Sequence, residues 1–237
     1  MSGHSKWSTI KRQKGTQDQK RGQIFTKLSN AITLAAKHGG VTAESNFRLR
    51  LAMDRARAAN MPKENIERAI ERAKGAAENG VEELMYEGFA PGGVAVIIEA
   101  VTDNKQRTVS NIKNIFEKSG GTLGSSGSVS YLFKRKGEII AKKNNESLEE
   151  LLNKGITAGA DDMEEEGDSV FYYVEPSALF QTKKALEEQG VVVENAEIVY
   201  IPLSDTKQDS EIENRVLSIV ESLEELDDVQ KVYTNLG

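Results

Sequence analysis

The side chains with the most evident chemistry in this chain are cations, and they gather at one end. Lys6, Lys11, Arg12, Lys14, Lys20 and Arg21 fall in a short opening segment that holds one acid, Asp18, and the only tryptophan, Trp7. Lys27, Arg48, Arg50, Arg55, Arg57, Lys63, Arg68 and Arg72 follow. Residues 1–80 carry 16 Lys/Arg against 7 Asp/Glu, a net of +9, and residues 81–237 carry 15 against 30, a net of −15. A split of this kind points to a polyanion-binding end and a solvating or repelling end. Ammonium groups bind phosphate as point charges, and guanidinium groups fork onto two phosphate oxygens. The candidate binding set is therefore these fourteen cations together with Trp7, with nucleic-acid phosphates as the expected ligand. Trp7 has two readings at this level: a platform on which a base stacks, or an apolar anchor for the basic segment.

Other constellations carry less. Cysteine is absent, which excludes disulfides, thiolate catalysis and zinc–thiolate sites. The two histidines, His4 and His38, both lie in the first 40 residues and form no nucleophile–base pattern. GGTLGSSGS at 120–128 looks like a phosphate loop, but it lacks the lysine and the strand–loop–helix order that such loops need. It reads as a hairpin connection. AGADDMEEEGD at 158–168 does not have the spacing of a calcium loop and reads as a solvated acidic hairpin. The expectation is a protein that is not an enzyme, with no catalytic residues, cofactor, metal or small-molecule substrate. An enzyme built on the Gly/Ser-rich loop is the alternative. No apolar run approaches the roughly 20 residues that cross a bilayer, and no apolar core follows the first charges as in a secretory signal.

The elements that must position these residues follow from periodicity. Ile24, Leu28, Ala31, Ile32 and Ala35 recur at helical spacing over residues 19–37, with Phe25 beside them. Gly39-Gly40 stops that helix, and Thr42 or Ser45 caps a second, which runs to about residue 60. A third spans 62–74, opened by Pro62 and closed by Gly75. Beyond residue 80 the texture changes. VAVIIEAV at 94–101 suits a buried strand, 103–119 a helix, and 122–123 and 129–133 strands. YEGFAPGG at 86–93 reads as a Gly/Pro turn before the first of them. Residues 134–137 read as a break. From 138 to 201 the order strand, helix, hairpin, helix, strand gives a complete βαββαβ unit, whose first helix, 147–156, turns Leu148, Leu151, Leu152 and Ile156 to one face. The helix 210–225 and strand 229–234 then complete the unit that was interrupted.

The predicted fold class is α+β: an N-terminal three-helix domain followed by two ferredoxin-like βαββαβ domains, the second inserted into the first. The boundaries are 1–80 for the basic helical domain, 81–133 plus 207–237 for the discontinuous α/β domain, and 134–206 for the inserted acidic one.

GHSKW at 3–7, NMPKENIERAIERAKG at 60–75 and YEGFAPGGVAVIIEAVTDNKQRT at 86–108 resemble the YebC family. GGTLGSSGSVSYLF at 120–133 and LDDVQKVYTN at 226–235 extend the resemblance over the whole chain. It implies three domains, one helical and two α/β, and no catalytic chemistry. It also implies a cytoplasmic protein in bacteria and a role in gene expression. Some members are described as probable transcriptional regulators that bind DNA. Others, mitochondrial translational activators among them, act at the ribosome and ease elongation through proline-rich stretches. Two positions depart from the commoner pattern: Gly15-Thr16 replace a pair of alanines, and Ala90 replaces glycine. The implied partners are nucleic acid, whether DNA, ribosomal RNA or tRNA, and the ribosome, with no membrane. The charge layout favours a basic end set into structured RNA with acidic domains held outward, since a long duplex would meet the −15 remainder.

Overall fold

The computed structural model describes residues 21–75, 81–144 and 146–237. Three helices come first: α1 (Arg21–Gly39), α2 (Phe47–Ala58) and α3 (Lys63–Gly75). Each shows one apolar face to a small core of Ile32, Ala35, Leu49, Ala56, Met61 and Ile66. In α2 the buried side is Leu49, Ala52 and Ala56, while Ala58 is exposed. The helix therefore packs chiefly on one side.

Asn46, rather than Thr42 or Ser45, caps α2. Its side-chain oxygen accepts from the Leu49 amide at 3.0 Å, and its amide group donates to the carbonyls of Ala35 and Gly40 at 2.8 and 2.7 Å. One buried side chain thus starts α2 and closes the end of α1. Gly39 leaves the room, since a Cβ there would stand 2.6 Å from the Asn46 amide nitrogen. Replacing Asn46 with Ala removes the cap and strands two carbonyls, a loss of about 2–3 kcal/mol. The expected outcome is an earlier first transition in thermal unfolding of the full chain; an unchanged midpoint would contradict this role.

The next elements are β1 (Glu82–Ala90), β2 (Val94–Thr102), α4 (Lys105–Ser119) and β3 (Thr122–Leu123). The inserted elements are β4 (Phe133–Lys142), α5 (Leu148–Ala158), β5 (Asp162–Glu166), β6 (Ser169–Val174), α6 (Leu179–Glu188) and β7 (Val193–Pro202). The chain ends with α7 (Ser210–Glu224) and β8 (Val229–Thr234). Residues 134–201 form one compact unit, and the three helices with the rest of the chain form the other. Where the chain leaves and re-enters the larger unit, the Leu203 amide donates to the Leu132 carbonyl at 2.9 Å.

In the larger unit the sheet order is β3-β1-β2-β8, with every neighbouring pair antiparallel. This is the spatial order of a ferredoxin-like sheet, but one strand comes from an unexpected place. Residues 82–90 form a nine-residue strand paired along its whole length with β2, not a turn. The segment 129–133 holds a short 3-10 turn, Ser130–Leu132, in place of the predicted strand. The alternation that marks a strand is weak in EELMYEGFA because Gly88 and Phe89 sit where β3 crosses closely. A Cβ on Gly88 would meet the Thr122 carbonyl oxygen at 2.7 Å. The β1–β2 turn, Pro91–Gly93, needs left-handed backbone at Gly92 (φ 75) and Gly93 (φ 74), whereas Ala90 is extended at φ −79 and so accepts alanine. The core lies between this sheet and α4 and α7, built on Val94, Val96, Ile98, Ile112, Phe116, Ile219 and Leu223.

The unit of residues 134–201 has the order β5-β6-β4-β7, the full βαββαβ plan. β4 runs through the predicted break at 134–137. Gly137 pairs with Val174, and a Cβ there would lie 2.7 Å from a Val174 methyl. Tyr172 is fully buried, and its hydroxyl donates to the Leu151 carbonyl at 3.0 Å; burial, with Glu146 nearby, pushes the phenol up to about 12. Of the apolar set assigned to α5, only Leu151 is buried; Leu148, Leu152 and Ile156 are 45, 43 and 62% exposed. Gly155, not Ile156, faces the Tyr172 ring, because only glycine fits there.

Candidate nucleic-acid interface

α1 and α3 are held together by polar bonds as well as by their core. The Thr33 hydroxyl donates to the Ala69 carbonyl at 2.8 Å, and the Arg72 guanidinium donates to the Asn30 side-chain oxygen at 2.7 Å. Ahead of α3, Asn60 takes left-handed backbone (φ 56) and turns the chain so that Met61 enters the core. The NMP segment is thus a turn that aims α3 along α1. The ridge Asn65, Arg68 and Arg72 then faces the ridge Phe25, Ser29 and Asn30 across a groove.

The sequence-predicted contacts divide by position. Lys6, Trp7, Lys11, Arg12, Lys14 and Lys20 lie outside the described residues, as does the side chain of Arg21. Lys27 donates to the Glu224 carbonyl, and Gln23 donates to the Glu225 carbonyl at 3.2 Å. Together they satisfy the negative C-terminal end of α7 and fasten the helices to the first sheet unit. Arg48 pairs with Glu83 at 2.6 Å, Arg57 with Asp54 at 3.0 Å, and Lys63 with Glu67 at 3.4 Å. Arg50 donates to the carbonyls of Ala43 and Glu44. Arg55 is half-buried in α2. Arg68 and Arg72, one turn apart on α3, are the predicted cations that share the groove. Phe25, Ser29, Asn30 and Asn65 belong to the same groove and escaped the sequence reading. Their partners stand some 40 residues away, and only Phe25, at the edge of the apolar stripe, gave a signal.

The remaining motifs serve the fold. In TDNKQRT, Asn104 caps α4 by accepting from the Arg107 amide at 3.0 Å. Arg107 grips Asp228 of the LDDVQKVYTN segment with contacts at 2.9 and 3.0 Å and also Asp103 at 2.9 Å, which hold the guanidinium in its charged form. The Thr108 hydroxyl donates to Asp228 at 2.9 Å. Asn235 accepts from the Ala95 amide at 2.8 Å and donates to Thr206.

The Gly/Ser-rich loop is neither a hairpin between two strands nor an open anion cradle. Glu87, 2% exposed on β1, accepts from the amides of Gly127, Val129 and Ser130 at 2.8, 2.7 and 2.8 Å. Burial pushes this carboxyl up, yet the three amides and the Ser130 hydroxyl together hold it below its ordinary value. The amides that a phosphate would need are taken by an internal carboxylate. In the acidic hairpin, Asp161 pairs with Lys136 at 2.5 Å and Glu165 pairs with Lys143.

Three helices rich in Lys and Arg precede two four-stranded antiparallel sheets with their helices, and comparison with known proteins gives this α+β arrangement a family. Residues 5–76 match the model "TACO1/YebC protein N-terminal domain", and residues 81–236 match "TACO1/YebC second and third domain". The chain belongs to the TACO1/YebC family. It is 48% identical to a "probable transcriptional regulatory protein" of Rubrobacter xylanophilus, over 99% of this chain and 95% of that one. A relative of the same description in Thermotoga maritima is also 48% identical, over 99% of this chain and 93% of its own. The crystal structure of a conserved hypothetical protein from Aquifex aeolicus superposes with a TM-score of 0.87 at 45% identity, covering 93% of this chain and 91% of that one. No helix among the described residues is long and apolar enough to cross a membrane.

Proposed function

We propose that this protein is a non-enzymatic, cytoplasmic regulator of gene expression whose basic N-terminal domain, residues 1–80, engages nucleic-acid phosphates. The target that the observations favour is structured RNA at the ribosome, where the protein eases elongation through proline-rich stretches. The fifteen residues of the predicted set remain the proposed contacts, with Arg68 and Arg72 foremost among the described ones. The observation that carries this reading is the distribution of charge: +9 in residues 1–80, and 8 Lys/Arg against 15 Asp/Glu in residues 134–201. A polyanion is attracted to one end and repelled by the other.

The cations of α2 add to it. A helix that reads a duplex presents a row of side chains to the major groove. Arg48, Arg50 and Arg57 are instead engaged with Glu83, with loop carbonyls and with Asp54. The groove between α1 and α3 is concave and suits an irregular single strand or loop better than a smooth duplex. The second reading, a DNA-binding transcriptional regulator, is favoured by the names of the relatives.

Co-sedimentation with ribosomes, run beside titration of a DNA duplex library at 0.15 M salt, separates the two. The protein is expected in the ribosomal pellet, with duplex binding weak and steeply salt-dependent. Sequence-specific duplex binding that survives 0.2 M salt, without co-sedimentation, would sink the ribosomal reading.

A further inference from the structure

The helix α5 gives only part of its apolar surface to the core of its unit. Leu151 and Gly155 are buried, whereas Leu148, Leu152 and Ile156 stand in the open. These three recur at every fourth position, which places them in one ridge about 12 Å long beside the buried row. Among the described residues they are the only exposed large apolar side chains that share a helix at this spacing. The neighbouring helix α6 lies on the other flank. There Gln189, just past its end, donates to the carbonyl of Lys154, which falls nearly opposite Leu152 around α5. The ridge thus has no helix of its own unit to cover it.

The charge around the ridge has one sign. Glu149 and Asn153 border it on the solvent side, and both are exposed. The one cation of α5, Lys154, is on the far flank and pairs with Glu146. The last turn of α5 holds no basic residue, so its carbonyl end keeps its partial negative charge. The whole unit of residues 134–201 carries 8 Lys/Arg against 15 Asp/Glu, a net of −7.

We infer that this ridge docks a Lys/Arg-rich amphipathic helix of another protein, its apolar row laid along Leu148, Leu152 and Ile156 and its cations set against Glu149 and the C-terminal end of α5. The inference goes beyond the RNA-binding reading and does not rest on it, since it concerns the acidic unit. A helix satisfies its own backbone and asks a partner only for an apolar row and a matching charge, and ridges of this kind interlock between helices. An added strand would need the open edge of β5, but at Met163 the amide already donates to the Asp162 carboxylate at 2.8 Å. A nucleic acid is repelled by the net charge of the unit. A second copy would bring two acidic units together, and three side chains cover well under the roughly 800 Å² per partner that a stable dimer buries. A basic partner instead gains from the field that the unit sets up.

The test uses the full chain and two probes: a fluorescein-labelled helical peptide with one leucine row bordered by lysines, and the same peptide with glutamates for the lysines. The basic peptide is expected to bind, more weakly as salt rises, and the acidic one to leave no signal. Leu152→Ser with Ile156→Ser removes two exposed side chains, so the thermal midpoint is expected to stay in place. Binding of the basic peptide should weaken about tenfold or more in this double variant, while binding of single-stranded RNA is unchanged. In a second arm, Leu152→p-benzoylphenylalanine is crosslinked in cells and the adduct peptides are read by mass spectrometry. They are expected to come from a Lys/Arg-rich helix of another protein.

Equal binding of the two peptides would remove the charge requirement and overturn the inference. Equal binding of the basic peptide by the double variant and the unaltered chain would show that it meets acidic surface elsewhere, with the same consequence. Loss of RNA binding in the folded double variant would hand the ridge to RNA. Adducts to this chain alone, at residues 1–20 or in a second copy, or no adduct at all, would equally overturn it.

Discussion

Reversing three charges in the basic segment, Lys11→Glu, Arg12→Glu and Lys14→Glu together, is expected to lower affinity for ribosomal RNA roughly 100-fold at 0.15 M salt. The slope of log affinity against log salt should fall by about 2, the counterions of three lost phosphate contacts on single-stranded RNA. Sixteen Lys/Arg stand in residues 1–80. Several of those on α1–α3 already have internal partners: Lys27 at the end of α7, Arg48 on Glu83, Arg50 on loop carbonyls, and Arg57 on Asp54. Each such partner weakens what the cation can offer a phosphate. The cations before residue 21 are then expected to supply a large share of the attraction. The two α/β units contain none of the three residues, so their unfolding transitions are expected to stay in place. Unchanged RNA affinity in the triple variant would remove this segment from the mechanism.

The second large effect is expected at Glu87. Replacing it with Gln removes the charge that three amides share and places an NH₂ group among N–H donors. The loss is about 2–4 kcal/mol, from the charge-assisted bonds and the amides left unsatisfied. The same carboxylate gives a pH dependence. Its folded pKa lies below the ordinary value, so its stabilisation is complete above about pH 4.3 and fades as pH falls further through the folded value. Amide exchange at Gly127, Val129 and Ser130 reads this directly. Protection should be strong at pH 7 in the unaltered protein and lost in Glu87→Gln. Equal protection in both would show that Glu87 does not hold the loop.

Much of the architecture was legible in the sequence because local pattern and global fold agree. The 3.6-residue stripes of α1, α3, α4 and α7 and the apolar run of β2 each point to their observed state. The misses share a physical cause: they are places where a long-range partner decides. In sequence, β1 reads as a turn because Gly88 and the PGG turn look like punctuation. Gly88 is in fact required by the Thr122 backbone passing 2.7 Å from its would-be Cβ. The segment 129–133 has strand composition, but Glu87, more than 40 residues earlier, takes its amides and folds it into a turn. On α5, Gly155 was invisible as a packing residue until the Tyr172 ring was seen against it. The candidate site was legible as charge and not as shape. Arg68 and Arg72 were identifiable as cations, but their meeting with Phe25 depends on the Asn60 turn that aligns α3 with α1.

The basic N-terminal third, and not the acidic unit of residues 134–201, is expected to contact RNA. Ultraviolet crosslinking of the full chain on ribosomes, with the adduct peptides identified by mass spectrometry, tests it most directly. RNA adducts are expected in residues 1–75, with the α1–α3 groove among them. Adducts confined to residues 134–201 would contradict it.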